Sequence, residues 1–228
     1  MSLLRQWESD GAKFGLWKTD ETIGELRSRL VEPFLYDEEL SSLKAASRKL
    51  EYLAVRVLLK EMCGHELRIA HLPSGKPVLP DDRMNITISH TKGYAAVGLF
   101  PLAINTLELH DQCRGRSCTC PEIGIDIERI SERVRRASSR FIRDDELPGF
   151  SEMGGEEQLR QLLVHWTAKE TMYKMLDRSG VDFQEDMRIM PFRLEQKGIV
   201  HGLAFSEKHF VINYSSEADF VLAYSISR

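Results

Sequence analysis

Hydrophobic and polar positions along the chain follow two periods. An alternating pattern, in which successive side chains point to opposite faces, predicts strands. These strands are expected at 12–18, 85–89, 94–100, 123–128, 210–214 and 220–227. Apolar residues at helical spacing predict helices from Thr19 or Asp20 toward Leu30, as one or two helices over 37–63, at 131–141 and at 156–176. Gly64 is expected to end the helical region at 37–63, because glycine readily adopts the left-handed conformation of a helix C-terminus.

Each half of the chain therefore contains strands and one principal long helix. This order predicts an α+β fold made of two similar halves, 1–103 and 123–228, joined by an irregular segment, 104–122. The second half carries the better-defined long helix, at 156–176.

Composition and charge narrow the class of protein. The chain has 228 residues, of which 42% are apolar and 29% charged, as in ordinary globular proteins. The formal net charge of −4 excludes a chain-wide basic surface, so nucleic acid is not the expected partner. We find no apolar run long enough to cross a membrane and no secretory signal at the N-terminus, and we therefore expect a cytoplasmic protein.

Two acids share one face of the predicted strand at 123–128. Asp126 and Glu128 are two residues apart, so they project together while the intervening isoleucines face a core. Carboxylate oxygens on a rigid element suit a hard cation such as Mg²⁺. The alternative interpretation is a solvated strand face whose acids pair with Arg129 or Arg133.

A third acid, Glu170, lies on the apolar face of the helix at 156–176. Its stripe comprises Leu159, Leu162, Leu163, Trp166 and Tyr173. An acid among apolar residues is costly unless a cation meets it, which again indicates a metal. Lys174 follows one turn later and either offsets charge on a phosphate leaving group or forms an ordinary helix-surface pair with Glu170. Lys169 points about a quarter-turn away, and the expectation is a simple solvated lysine.

Basic and polar residues in the first half could meet an anionic ligand. Arg48, Lys49 and Arg56 lie on the predicted helix, and Arg48 and Arg56 share a flank with Tyr52. A basic flank suits a phosphorylated nucleotide, although it is more commonly only solvated.

Two further candidates lie outside that helix. Lys76 is presented by a Ser-Gly-Lys-Pro turn, while Ser89 and His90 end a strand, where polar groups often line a site. Taken singly, Lys76 is a lysine in a turn and His90 a structural histidine.

The order of these motifs resembles that of the Sfp-type 4'-phosphopantetheinyl transferases. The resemblance begins at the basic helix with Arg56 and continues through Gly75-Lys76-Pro77 and the run from Asn85 to His90. Gly-Ile-Asp-Ile-Glu at 124–128 comes next, then Phe141 with Glu146, and finally Trp166-Thr167-Ala168-Lys169-Glu170 with Lys174. The ordered set spans about 48–174.

The resemblance implies two α+β halves related by pseudo-twofold symmetry, with coenzyme A in the cleft between them. The implied reaction transfers the 4'-phosphopantetheine arm of coenzyme A to a serine of an acyl or peptidyl carrier protein and releases adenosine 3',5'-bisphosphate. Asp126, Glu128 and Glu170 would hold Mg²⁺, or Mn²⁺ in its place, at the pyrophosphate. Glu170, directly or through a water, would take the serine proton, and Lys174 would stabilise the departing group.

Coenzyme A recognition is implied for a second set of residues. These are Arg56, Lys76, Ser89 and His90, to which we add Arg48 and Lys49, where the family aligns loosely. By the same resemblance the chain is expected to be a self-contained monomer. Two alternatives stay open: a coenzyme A or carrier-binding protein without turnover, and another magnesium-dependent phosphotransferase.

A local basic segment, 129–143, is hidden by the net charge of the whole chain. It has six arginines and a single acid, Glu132. We expect this segment to dock the acidic helix of a carrier protein; the alternative is a helix face that is solvated or paired with other acids.

The stretch before the Gly-Ile-Asp-Ile-Glu strand is longer than the family pattern. It contains His110, Cys113, Cys118 and Cys120, which are ligand types for zinc. Their spacing does not match a paired Cys-x-x-Cys site, so reduced, incidental thiols in a loop between the halves are the expectation.

Overall fold

The computed structural model describes residues 2–80, 84–102, 122–150 and 154–227. The chain divides into two compact units, 1–121 and 122–227, here called the N-terminal and C-terminal units. Both combine an antiparallel sheet with helices, which confirms the predicted α+β class. The predicted segment 104–122 falls outside the described residues except at Glu122. The same holds for the four zinc-ligand types in it, His110, Cys113, Cys118 and Cys120.

The N-terminal unit is a four-stranded antiparallel sheet with a long helix on it. Its strands are β1 (Leu3–Ser9), β2 (Ala12–Lys18), β3 (Ala70–His71), β4 (Pro77–Val78), β5 (Met84–Thr91) and β6 (Tyr94–Pro101). Its helices are α1 (Ile23–Ser28), α2 (Asp37–Ser42) and α3 (Ala46–Cys63), with a 3₁₀ turn at Pro33–Tyr36. The sheet order is β1-β2-β6-β5, and β3 and β4 form a separate hairpin. Helix α3 buries Leu53, Val57 and Leu58 in the core of this unit.

The C-terminal unit is a five-stranded antiparallel sheet covered by one long helix. Its strands are β7 (Glu122–Arg129), β8 (Met187–Ile189), β9 (Lys197–Ala204), β10 (Lys208–Ser216) and β11 (Phe220–Ser227), in the order β7-β11-β10-β9-β8. Its helices are α4 (Arg133–Ala137) and α5 (Gly155–Leu176), with 3₁₀ turns at Ser138–Arg140 and Leu147–Phe150. Ala168, Met172 and Met175 of α5 are almost completely buried in the core of this unit.

Most predicted elements are confirmed, with shifts at their ends. Helix α1 begins at Ile23 because Thr22 caps it in a capping box with Glu25, not at Thr19 or Asp20. Gly64 ends α3 with φ of +76°, as predicted. The helix predicted at 131–141 is shorter: α4 covers only five residues and continues as a 3₁₀ turn.

The sequence pattern missed β1, β8 and β9, as well as the two-residue strands β3 and β4. Strand β9 contains Gly198 and Gly202 and exposes Ile199, so neither β-propensity nor a clean alternation marks it. The related-halves symmetry stays a prediction. Within the described ranges, every helix is too short or too polar to cross a lipid bilayer.

Candidate functional site

Strand β7 brings the two predicted acids directly beneath helix α5. Gly124, Asp126 and Glu128 lie on the same face of the strand. A Cβ added to Gly124 would lie 2.5 Å from the Thr171 carbonyl oxygen, so this glycine allows helix and strand to approach closely. The acids therefore face the helix, and Asp126 is only 4% exposed. A solvated strand face is the wrong interpretation for Asp126.

Lys174 reaches from α5 to the strand. Its Nζ donates to Asp126 Oδ1 at 2.8 Å and to the Ile125 carbonyl oxygen at 2.9 Å. The lysine thus forms its ion pair with Asp126, across two elements, and not as a surface pair along its own helix. This contact fixes one oxygen of Asp126 and offsets part of its charge.

Trp166 makes the corresponding contact with Glu128. The indole Nε1 donates to Glu128 Oε1 at 3.1 Å. The two strand acids are therefore each held by a side chain of α5, one by a cation and the other by a neutral donor. The two helix positions are eight residues apart, which is close to two turns, so both side chains leave the same side of α5.

Glu170 lies between these two contacts on the helix and is electrostatically coupled to the same acids. Its pKa is raised to about 7, first by burial and then by the negative charges of Asp126 and Glu128, while Lys174 opposes the change. The three predicted acids therefore share one local field.

The chemistry of these donors fits a hard divalent cation. All three side chains supply oxygen atoms, the ligands that Mg²⁺ and Mn²⁺ prefer. Burial is the main cause of the raised pKa of Glu170, and the carboxylates of Asp126 and Glu128 add negative charge that a dication would offset. In the part of the chain that the structure describes, however, no three His, Cys, Asp or Glu side chains converge in metal-binding geometry. The set therefore fits such an ion by its chemistry, not by a preformed geometry.

The neighbouring Lys169 is completely buried, so the expectation of a solvated lysine is wrong. Its Nζ donates to Glu146 Oε2 at 2.9 Å. It also donates to three main-chain carbonyl oxygens, those of Phe141, Phe183 and Met187, at 2.5, 3.0 and 3.0 Å. Burial lowers the pKa of Lys169, and the carboxylate of Glu146 opposes that shift. The motif's lysine is therefore a structural anchor inside the unit.

A second candidate site lies wholly within the N-terminal unit. A cavity of about 230 Å³ opens between α3, the β3–β4 hairpin and β5. Its lining includes three of the predicted binding residues, Arg48, Arg56 and His90. The other lining residues are Leu43, Glu51, Tyr52, Val55, Ile69, His71 and Ile88. The cavity combines an apolar wall with cationic and imidazole groups.

Arg56 is the most unusual residue of this cavity. It is 7% exposed, and its guanidinium stacks on Tyr52, with Cζ 3.2 Å from the ring centroid, and on Tyr36 at 5.4 Å. Its Nη1 donates to the Tyr52 carbonyl oxygen at 3.0 Å. Its Nε is buried without a hydrogen-bond partner in the described ranges. The side chain of Tyr52 and the charge of Glu39 both favour the charged guanidinium. Burial lowers the pKa of Arg56.

Arg48 and His90 are organised by an acid that the sequence reasoning missed. Glu51 Oε2 lies 3.0 Å from Arg48 Nη1 and 3.4 Å from His90 Nδ1. The spacing of Arg48 and Glu51, three residues along a helix, is the signal that was available for this pair. His71 was also missed, because its strand has only two residues.

The remaining predicted binding residues do not line this cavity. Lys49 is half-buried on α3, and Ser89 is buried on β5 with 7% exposure. Lys76 is half-buried and follows a turn in which Gly75 has φ of +88°. It precedes Pro77, which pairs with the cavity residue His71. The structure thus collects Arg48, Arg56 and His90, and leaves Lys49, Lys76 and Ser89 outside the lining.

The basic segment 129–143 divides into paired and exposed arginines. Arg135 contacts Glu132, Gln158 and the Gly155 carbonyl oxygen, and Arg143 contacts Asp145 and two main-chain carbonyl oxygens. The other set is exposed and forms no ion pair with residues of the described ranges: Arg133, Arg136 and Arg140. These three, here called the basic ridge, follow one another along α4 and its 3₁₀ extension.

Beside the basic ridge is a cavity of about 420 Å³ with apolar walls. Ile142, Leu147, Phe150 and Leu162 contribute the apolar surface, and Leu147 is 51% exposed. The cavity wall also contains polar side chains, among them Arg135, Ser138 and Ser139, which lie between the ridge residues in the sequence.

The comparisons with known proteins concern the C-terminal unit. Residues 122–225 match the model of the 4'-phosphopantetheinyl transferase superfamily. No curated protein matches the chain. The matched residues cover nearly all of the C-terminal unit, including Asp126, Glu128 and Glu170, and indicate a transferase that handles the phosphopantetheine group. Over residues 122–225, the C-terminal unit is thus similar to the 4'-phosphopantetheinyl transferase superfamily.

Proposed function

We propose that the protein transfers the 4'-phosphopantetheine arm of coenzyme A to a serine of an acyl or peptidyl carrier protein, in the manner of the Sfp-type enzymes. The observation that carries the proposal is the electrostatic coupling of Glu170 with Asp126 and Glu128 inside the matched domain. A carboxyl group whose pKa is raised by burial and by two neighbouring carboxylates is expensive to keep in a fold, and a phosphate-transfer site would justify that cost.

The acids have distinct surroundings and hence distinct roles. Asp126, Glu128 and Glu170 would hold Mg²⁺, which when bound offsets charge on the pyrophosphate. Lys174 already holds Asp126 by one oxygen and carries the charge needed near a departing phosphate. Glu170, with a pKa of about 7, is suited to accept the proton of the carrier serine near neutral pH.

The two roles of Glu170 compete, because coordination of a cation lowers the basicity of a carboxylate. Replacing Glu170 by Gln keeps the size of the side chain and removes its charge. As a ligand, Glu170 contributes mainly to Mg²⁺ affinity, so the Mg²⁺ Kd would rise in this variant. As a base it contributes to kcat at saturating Mg²⁺, which would then fall while the Kd stays close to the parental value.

The cavity of the N-terminal unit supports binding of a phosphorylated nucleotide. Arg56 is buried without a carboxylate partner in the described ranges, and a phosphate oxygen would satisfy its Nε. Arg48 and His90 add donors along the same wall, and the apolar residues suit a planar base. We therefore assign coenzyme A recognition first to Arg48, Arg56 and His90, and only second to Lys49, Lys76 and Ser89.

The carrier protein is the proposed macromolecular partner, and the basic ridge is its proposed docking surface. Carrier proteins are generally acidic, and Arg133, Arg136 and Arg140 are exposed cations that form no ion pair with the described residues. Charge complementarity of this kind mainly accelerates encounter and fixes orientation.

Mass spectrometry of apo-carrier proteins with coenzyme A and Mg²⁺ tests the proposal. Fatty-acid, polyketide and nonribosomal-peptide carriers are each incubated with the parent and with the Asp126→Ala variant. We expect a mass gain of the phosphopantetheine arm with the parent, and loss of that gain with Asp126→Ala. Glu157→Ala, which removes an exposed acid from the same helix α5, is the matched control and retains the gain. No gain on any carrier would favour a binding protein without turnover.

A further inference from the structure

We propose that Trp166 is a positioning residue that aims the Glu128 carboxylate at the metal, and that the buried Lys169–Glu146 pair holds this indole in place. The inference rests on the proposed function, because it assigns a role toward the proposed Mg²⁺ ligands. The contact that carries it is the hydrogen bond from Trp166 Nε1 to Glu128 Oε1, at 3.1 Å.

The indole has a single donor, and this donor is directed at one carboxylate oxygen. Such a contact fixes the rotation of the Glu128 carboxylate about its last side-chain bond. The indole N–H is neutral, so it does not offset the negative charge of the Glu128 carboxylate. A lysine in its place would offset part of that charge. Contacts that orient a ligand in this way commonly change metal affinity by about 10- to 100-fold when they are removed.

Two aromatic rings flank the indole. The ring centroid of Phe141 lies 5.1 Å from that of Trp166, and the centroid of Phe183 lies 5.6 Å away. The interplanar angles are 60° and 38°, typical of tilted aromatic packing. The indole is thus confined on both sides, and its N–H direction is set by residues from two loops.

Lys169 fixes the main chain of these same two aromatic residues. Its Nζ donates to the carbonyl oxygens of Phe141 and Phe183, as well as to Glu146 Oε2. Glu146 in turn accepts from the Ile189 N–H at 2.6 Å and the Arg143 N–H at 2.8 Å. Trp166 and Lys169 are three residues apart on α5, so they lie on neighbouring parts of one helix face. A chain of direct contacts therefore runs from the buried ion pair to Glu128.

The variant Trp166→Phe tests the hydrogen bond of the indole separately from its aromatic packing. Phenylalanine keeps aromatic packing against Phe141 and Phe183 but has no N–H group. Binding of Mn²⁺ alone, followed by water-proton relaxation without coenzyme A or carrier, is expected to weaken by about tenfold. In the transfer assay the Mg²⁺ requirement should rise by the same factor, with kcat at saturating Mg²⁺ near the parental value.

Trp17 provides a matched control in the other unit. Its indole Nε1 also donates to a carboxylate, Glu21 Oε2, at 3.3 Å. The Trp17→Phe variant loses the same type of hydrogen bond, here to a carboxylate that is not a proposed metal ligand. We expect its Mn²⁺ affinity to equal that of the parent.

A second measurement needs no variant that must fold on its own. In the ¹⁵N spectrum of the parent, the Trp166 indole resonance is expected to shift as Mg²⁺ is added, whereas the resonances of Trp7 and Trp17 stay unchanged. An unshifted Trp166 resonance, or a Trp166→Phe protein with parental Mn²⁺ affinity, overturns the positioning role. A parent that binds Mn²⁺ with the expected Trp166 dependence but modifies no carrier overturns the proposed function and leaves the positioning role intact.

Discussion

Each unit buries one cationic side chain from its long helix, and the two cations have opposite surroundings. Arg56 of α3 is stacked between two tyrosines, and it has no carboxylate partner in the described ranges. Lys169 of α5 is surrounded by one carboxylate and three carbonyl oxygens. Both are almost completely removed from solvent.

The difference shows that the surroundings of a buried charge indicate whether its role is structural or in binding. Taking a charge out of water costs several kcal/mol unless hydrogen bonds and an opposite charge replace the water. Lys169 has these replacements within the protein, so its role is structural. Arg56 has only part of them, so the fold keeps a guanidinium that an anion would complete. We therefore associate Lys169 with stability and Arg56 with binding.

The largest expected effect is the loss of the buried lysine. The Lys169→Met variant leaves Glu146 buried without its cation, which should lower the free energy of unfolding by about 3–5 kcal/mol. Urea denaturation monitored by circular dichroism measures this change. The control Lys197→Met removes an exposed lysine from β9 and should change the midpoint little.

The double variant Lys169→Met with Glu146→Leu tests the reason for that loss. Removing both charges should recover a large part of the stability, because no unpaired ion then remains in the core. A double variant as unstable as Lys169→Met alone would show that the carbonyl contacts of the lysine, and not its pairing with Glu146, carry the stability.

The next effect tests the other side of the comparison. The Arg56→Met variant should bind coenzyme A about 10- to 100-fold more weakly, because charge-assisted hydrogen bonds contribute roughly 1.5–3 kcal/mol. Its free energy of unfolding should change much less than that of Lys169→Met. Calorimetric titration of coenzyme A measures the affinity, and Arg68→Met, which removes an exposed arginine of the same unit, is the control.

Parental coenzyme A affinity in Arg56→Met, together with a large loss of stability, would break the comparison. Arg56 would then be a structural cation like Lys169, held by the two tyrosine rings. The same result would remove the principal support for nucleotide binding in the N-terminal unit.

The sequence predicted the elements that carry the acids better than the surroundings of individual charges. The alternation at 123–128 and the helical pattern at 156–176 are local properties of the sequence. The predicted bounds of β7 and α5 therefore lie within one residue of those in the structure. Glu170 was suspected for a sound reason, since an acid on an apolar face needs compensation.

The surroundings of Lys169 depend on contacts that no local pattern encodes. Its partners come from three separate segments, around Phe141–Glu146, at Phe183 and at Met187. The residues next to Lys169 along α5 do not distinguish it from a lysine that is exposed to solvent. Glu51 is similar, because its link to His90 joins α3 to a strand nearly forty residues later.

The smallest expected effect repeats the comparison inside the arginine segment. Arg136 belongs to the exposed basic ridge, whereas Arg135 is paired with Glu132 and contacts Gln158. The Arg136→Glu variant should raise the carrier KM roughly fivefold at low salt, with this effect fading as salt is added, and should leave coenzyme A affinity and stability unchanged. The Arg135→Glu variant should instead lose stability, because its guanidinium anchors the start of α5. Steady-state kinetics with varied apo-carrier, together with thermal denaturation, measures both.

Equal carrier KM values for Arg136→Glu and the parent would remove the ridge from the docking surface. The neighbouring cavity, with exposed Leu147, would then be the surface to test.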